Sequence, residues 1–135
     1  MNTVYFLNTI MGNLFHTQET PPIPEKYYIG LTYDDPAVQG EYAREPETSG
    51  TGYCRKELTS LSEPSNGVVT NTDSISFDNS IANWGAMNYY VVYDAEQGGN
   101  LLFFGKLSEP RTVEANTILT IKSNELAITL RNASE

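Results

Sequence analysis

Asn88-Tyr89-Tyr90-Val91-Val92-Tyr93 and Leu101-Leu102-Phe103-Phe104-Gly105-Lys106, joined through Asp94-Ala95-Glu96-Gln97-Gly98-Gly99-Asn100, form the stretch that decides the fold. Both runs are aromatic or β-branched and the connector is built from turn-forming residues, so the segment predicts a β-hairpin. Neither run alternates apolar with polar residues. Each strand is therefore apolar on both faces and has to be buried twice, once in the core and once against another sheet, the helix or another protein chain. On that ground Tyr90, Val92, Leu102 and Phe104 are candidate interface residues.

Working outward, Tyr27-Tyr28-Ile29-Gly30-Leu31-Thr32-Tyr33 is a compact apolar run that stops at Asp34-Asp35-Pro36 and reads as a buried strand. Residues 34–51 are rich in Gly, Pro, Glu and Ser and read as a loop longer than an ordinary connection. Ser62-Glu63-Pro64-Ser65-Asn66-Gly67 predicts a tight turn between two strands, because Asn-Gly readily takes positive backbone angles. Ile75 and Phe77 alternate with Ser74, Ser76 and Asp78, the period of a strand with one face inward. Pro110 marks a further turn, and Thr117-Ile118-Leu119-Thr120-Ile121 and Leu126-Ala127-Ile128-Thr129-Leu130 are final strands linked by Lys122-Ser123-Asn124-Glu125. Short strands at such spacing predict a mainly β protein, an antiparallel β-sandwich.

The N-terminal segment follows a different rule. Over residues 3–15, Leu7, Ile10, Met11 and Leu14 recur at helical spacing, with Asn2 or Thr3 available as a cap. Thr20-Pro21-Pro22-Ile23-Pro24 stops the helix, since proline lacks the amide donor and disfavours helix in the residue before it. The expected division is a helix and Pro-rich connector over 1–24 and one β-sandwich domain over 25–135. Leu7, Met11 and Leu14 join the interface candidates, as the helix either covers its own core or docks on a neighbour.

Composition narrows the function classes. The chain has 135 residues, 39% hydrophobic and 19% charged, which suits a single folded domain rather than a disordered or membrane-embedded chain. A net charge of −9 argues against nucleic acid and anionic membranes as partners. The N-terminus has neither a basic start nor a long apolar run, so synthesis in the cytoplasm is expected. With one cysteine, Cys54, and one histidine, His16, neither a disulfide nor a zinc cluster is expected, although Arg55 and Lys56 stand where they could lower the thiol pKa. Asp34-Asp35, Glu45 with Glu47, and Asp94 with Glu96 all fall in predicted loops. Asp94, Glu96 and Asn100 miss the calcium-loop spacing. No phosphate loop and no Ser-His-Asp arrangement emerges. The expectation is a protein without catalysis, cofactor or metal. Exposed tyrosines and tryptophan can also stack on sugars, so Tyr42, Tyr53 and Trp84 are the candidate glycan contacts of an alternative reading, a carbohydrate-binding module or adhesin.

Taken in order, certain segments resemble a family of small tailed-bacteriophage virion proteins, the tail-fibre or minor structural proteins. They are Pro22-Ile23-Pro24 before Tyr27-Tyr28-Ile29-Gly30-Leu31-Thr32, Glu45-Pro46 before Gly52-Tyr53-Cys54-Arg55, Ile75-Ser76-Phe77, Asn83-Trp84-Gly85, Tyr93-Asp94-Ala95, Gly98-Gly99-Asn100-Leu101-Leu102-Phe103-Phe104-Gly105-Lys106-Leu107 and Leu126-Ala127-Ile128-Thr129-Leu130. The chain departs from that pattern at Cys54, where a small residue is usual, and in the acidic loop 41–50. What the resemblance implies is a virion structural protein of the tail fibre, baseplate or neck, with a head decoration protein as alternative. Its implied partners are other virion proteins and further copies of itself, with a host surface glycan as a possible ligand.

Overall fold

The computed structural model describes residues 1–16 and 20–129. The predicted hairpin is its centre: β5 (Gly85–Tyr93) pairs antiparallel with β6 (Leu101–Val113). β1 (Tyr28–Thr32) joins the other side of β5, and the short β2 (Lys56–Glu57) joins β1, giving a four-stranded sheet in the order β2-β1-β5-β6. β3 (Val68–Thr70) pairs with β8 (Ala127–Thr129), and β4 (Ile75–Ser76) pairs with β7 (Thr120–Ile121). The protein is thus mainly β, with antiparallel sheets in a sandwich that is not closed.

Register explains how both faces of the hairpin are used. Ile29 stands opposite Val92 and Leu31 opposite Tyr90, and these four share one core with Met87, Val113, Phe77, Trp84, Ile121, Leu126 and Ile128. The two small ladders therefore cover one face of the large sheet. Val91, Tyr93, Leu101 and Phe104 form a second buried cluster on the other face, with Met1 packed against it. A one-residue bulge between Val92 and Tyr93 accounts for this change of phase, since Val92 pairs with Phe103 but Tyr93 with Leu101.

β6 is an edge strand, and its beginning is shielded. The Thr3 N–H donates to the Leu102 carbonyl and the Phe104 N–H to the Met1 carbonyl, so residues 1–3 add a short antiparallel track of backbone to the edge, with Asn2 opposite Phe103, capping unpaired groups that invite aggregation. β6 also runs through Pro110, where the sequence predicts a turn. The ladder is irregular between Met87 and Tyr89, and the extra β6 residues there leave proline outside regular pairing.

α1 spans Val4–Phe15, with the Thr3 hydroxyl accepting from the Phe6 N–H at 3.2 Å as the cap. Thr3 also donates to the Leu101 carbonyl at 2.6 Å, so one residue both caps the helix and fixes its start to β6. Phe6 meets Phe103 edge to face at 4.9 Å between ring centres. The loop predicted over 34–51 contains α2 (Pro36–Gln39), capped by Asp35, and a 3-10 turn at Gly40–Tyr42. Asn66 and Gly67 have φ of 53° and 75°, as the tight turn requires. The two final strands pair with β3 and β4 rather than with each other, and Leu130 lies outside the described residues. Asn71, fully buried, donates to the Asp73 and Lys122 carbonyls and accepts from the Leu126 N–H, tying both ladders together.

Tyr90 gives a pH test of this packing. Burial pushes its hydroxyl up to about 12 while it donates to the Ala127 carbonyl at 3.1 Å. The unfolded chain ionises near pH 10, so the stabilisation is present below pH 10 and is lost as pH rises towards 12. Chemical denaturation at pH 9, 10, 11 and 12 should show falling stability, and Tyr90→Phe should flatten the fall by up to about 2 kcal/mol.

Candidate functional site

Among the described residues the most heavily bonded side chain is that of Arg55, which begins the turn of chain into β2. Its Nη2 reaches Glu45 Oε1 at 2.6 Å and its Nε reaches Glu45 Oε2 at 3.1 Å, a two-pronged pairing that suits the planar guanidinium. Nη1 donates to the carbonyls of Ala95 at 2.9 Å and Gly98 at 2.7 Å, in the β5–β6 connection. The guanidinium stacks 3.7 Å from the centre of the Tyr93 ring. Its side chain is 9% exposed, and that of Glu45 17%.

Tyr53 completes the cluster. Its hydroxyl donates to Glu45 Oε2 at 2.5 Å and accepts from the Leu31 N–H at 3.0 Å, on the side of β1 where β2 has already ended. Burial, followed by the charge of Glu45, pushes this hydroxyl well above its ordinary value, so it stays a donor. Gly30 leaves the room that the cluster occupies. A Cβ there would stand 2.6 Å from both Glu45 Oε2 and the Tyr53 hydroxyl. A cleft of about 480 Å³ opens alongside, lined by Glu45, Pro46, Thr48, Arg55, Glu96 and Gln97 among others. The Arg55 donors already point at Glu45 and two carbonyls, so the cluster is arranged to join the 41–52 segment, β1 and the hairpin connection.

The remaining chemistry-bearing residues are placed as follows. Cys54 Sγ lies 3.1 Å from Asp78 Oδ2, and Lys56 Nζ lies 2.5 Å from Asp78 Oδ1. Burial first, then the hydrogen bond to Asp78, pushes the Cys54 thiol up. The expected lowering is thus outweighed: Lys56 still lowers the thiol, but burial and the shared Asp78 carboxylate act more strongly, and Arg55 is turned to Glu45. Asp34 is held below the usual carboxylate range by its hydrogen bonds from Arg44. Asp94 accepts from the backbone and side chain of Asn100 across the hairpin connection, the bonding of a turn. Among the described residues no group of three or more His, Cys, Asp or Glu is placed to hold a metal ion. No helix among them is long and apolar enough to cross a membrane.

The candidate contact residues separate into two groups. Tyr90, Val92, Leu102 and Phe104 are all buried within the chain, so the second burial required of the hairpin is met by the chain's own ladders and N-terminal segment. The expectation that these four face another chain is corrected accordingly. Leu7, Met11 and Leu14 lie on the outward side of α1 and are exposed, together with Val4 and Phe15, which the spacing argument did not single out. Of the glycan candidates, Tyr53 at 3% and Trp84 at 2% exposure are core residues, and Trp84 spends its indole N–H on the Thr51 carbonyl. Tyr42 stands alone at 86% exposure.

Comparison with known families supplies the class: the chain is a phage fibre structural protein, a component of the virion. It belongs to the Gp80 family, described as podophage GP4 fiber I protein gp80, whose model matches residues 2–129. The match takes in α1, the Arg55 cluster and all eight strands, and it bears out the resemblance to tail-fibre proteins read from the segments above. A search of curated proteins finds no match. Membership of a phage fibre family carries with it association with other virion proteins.

The cluster yields a stability prediction. Arg55→Met leaves Glu45 buried without its cation and should cost about 3–5 kcal/mol in urea denaturation. Replacing both partners, Arg55→Met with Glu45→Leu, should recover much of that loss, because the stranded charge is then gone.

Proposed function

We propose that the chain is a fibre subunit that acts by contact and assembly rather than by turnover, with the outward face of α1 as its contact surface. The observation that carries this reading is the run of exposed apolar side chains on that face, with Leu14 and Phe15 at 67% and 68% exposure. A surface helix ordinarily puts polar residues there. The inward face is already committed through Phe6 and Thr9, and none of the described residues covers the outward ones. Such a contiguous apolar patch marks a macromolecular contact.

The test is assembly. In a phage carrying Leu14→Glu in this gene, the chain should fall at least tenfold in purified particles, measured by quantitative mass spectrometry. The purified variant should keep its stability within about 0.5 kcal/mol, as a surface substitution does. Incorporation at the level of the unsubstituted chain would overturn the reading.

A further inference from the structure

At about 100° per residue, Val4, Leu7, Met11, Leu14 and Phe15 fall within an arc of about 120° on α1. Asn8 lies at its margin, while Phe6 and Thr9, both buried, lie on the other side. Val4, Leu7, Met11 and Leu14 are separated by three, four and three residues. That alternation is the heptad spacing that keeps one seam facing a partner helix over its whole length.

Charge indicates which partner. No Asp, Glu, Lys or Arg occurs among residues 1–18, so this face carries nothing to select an oppositely charged surface. The whole chain carries −9, and two copies repel least where they meet over an uncharged seam. Area also agrees. At ordinary side-chain sizes the five residues expose on the order of 500 Å² of apolar surface per copy, so two copies reach roughly the 1,000 Å² at which specific interfaces begin when the adjoining Phe15 is covered along with the seam.

We infer that α1 packs against α1 of a second copy of this chain through the seam Val4, Leu7, Met11 and Leu14. This rests on the contact role proposed above and adds the partner. The side chains at 4, 7, 11 and 14 act as knobs that fit between those of a helix with identical spacing, so the same patch serves on both copies.

The test uses the full chain with Cys54→Ser, to remove the native thiol, and a single new cysteine at Leu7→Cys, at Met11→Cys or, as a control on the exposed surface, at Thr72→Cys. Under oxidised glutathione, Leu7→Cys and Met11→Cys should each form disulfide-linked dimers at least tenfold faster than Thr72→Cys if the helices run parallel. For antiparallel helices, the mixture of the two seam variants should do so instead. Light scattering of the unsubstituted chain should give a mass above the monomer that falls to the monomer with Leu14→Glu. A monomer at every concentration, with seam cysteines no faster than the control, overturns the self-contact. If Leu14→Glu is nonetheless lost from particles, the contact role stands and its partner is another virion protein. Retention of that variant in particles would instead remove the contact role itself.

Discussion

The guanidinium of Arg55 is the constraint on which the remaining structure hangs. It fixes three pieces of chain that share little regular pairing: Glu45 from the irregular 41–52 segment, the Ala95 and Gly98 carbonyls from the hairpin connection, and through Glu45 and Tyr53 the backbone of β1 at Leu31. A buried ion pair is poor evidence of net stability, because desolvation offsets much of the attraction. Its effect here is one of geometry. Without the fork, Glu45 would be left beside Gly30 with a buried charge, and the 41–52 segment would lose one of its polar attachments, keeping those of Arg44 and Thr51. The stack on Tyr93 extends the same constraint into the second core, so the cluster also sets how that face of the hairpin is covered.

A second constraint acts at the opposite end of the sheet. A strand as apolar as Leu101-Leu102-Phe103-Phe104 on the edge is an open template for other chains, and residues 1–3 cover it. Because Thr3 is at once an acceptor for the Phe6 N–H and a donor to Leu101, the helix leaves the edge in a fixed direction. The Phe6–Phe103 contact then turns one side of α1 towards the sheet, which necessarily turns Leu7, Met11 and Leu14 away from it. The display of apolar residues is thus a consequence of the edge protection and not of a loosely attached helix.

The hairpin, the helix with its Thr3 cap and the Asn66-Gly67 turn were legible in the sequence because each is a local preference written into adjacent residues. The pairing of β3 with β8 and β4 with β7 was not, since strands of two or three residues carry almost no periodic signal and their partners are chosen by the shared core. Pro110 misled for a related reason: an irregular edge strand tolerates a residue that a central strand would reject. Trp84 and Tyr53 were read as possible sugar platforms because composition cannot separate a buried ring from a displayed one. The Arg55 cluster had one trace in the sequence, a glycine at position 30 inside an otherwise bulky strand. Such a glycine signals close approach by another group, but not which group approaches.

Body and helix divide the electrostatic labour. The body carries the carboxylates that give the chain its excess negative charge, several of them held in place by Arg44, Arg55, Lys56 and Arg111, while α1 carries no formal charge at all. Repulsion between bodies falls off within about 8 Å at physiological ionic strength. It therefore opposes close sliding of one body over another far more than it opposes approach along the helix. An apolar patch without such a field would adhere indiscriminately. The same patch on an acidic body is restricted to partners that can reach the helix without pressing against the sheet. In the contact role proposed for α1, that restriction converts a general hydrophobic attraction into a contact of defined direction.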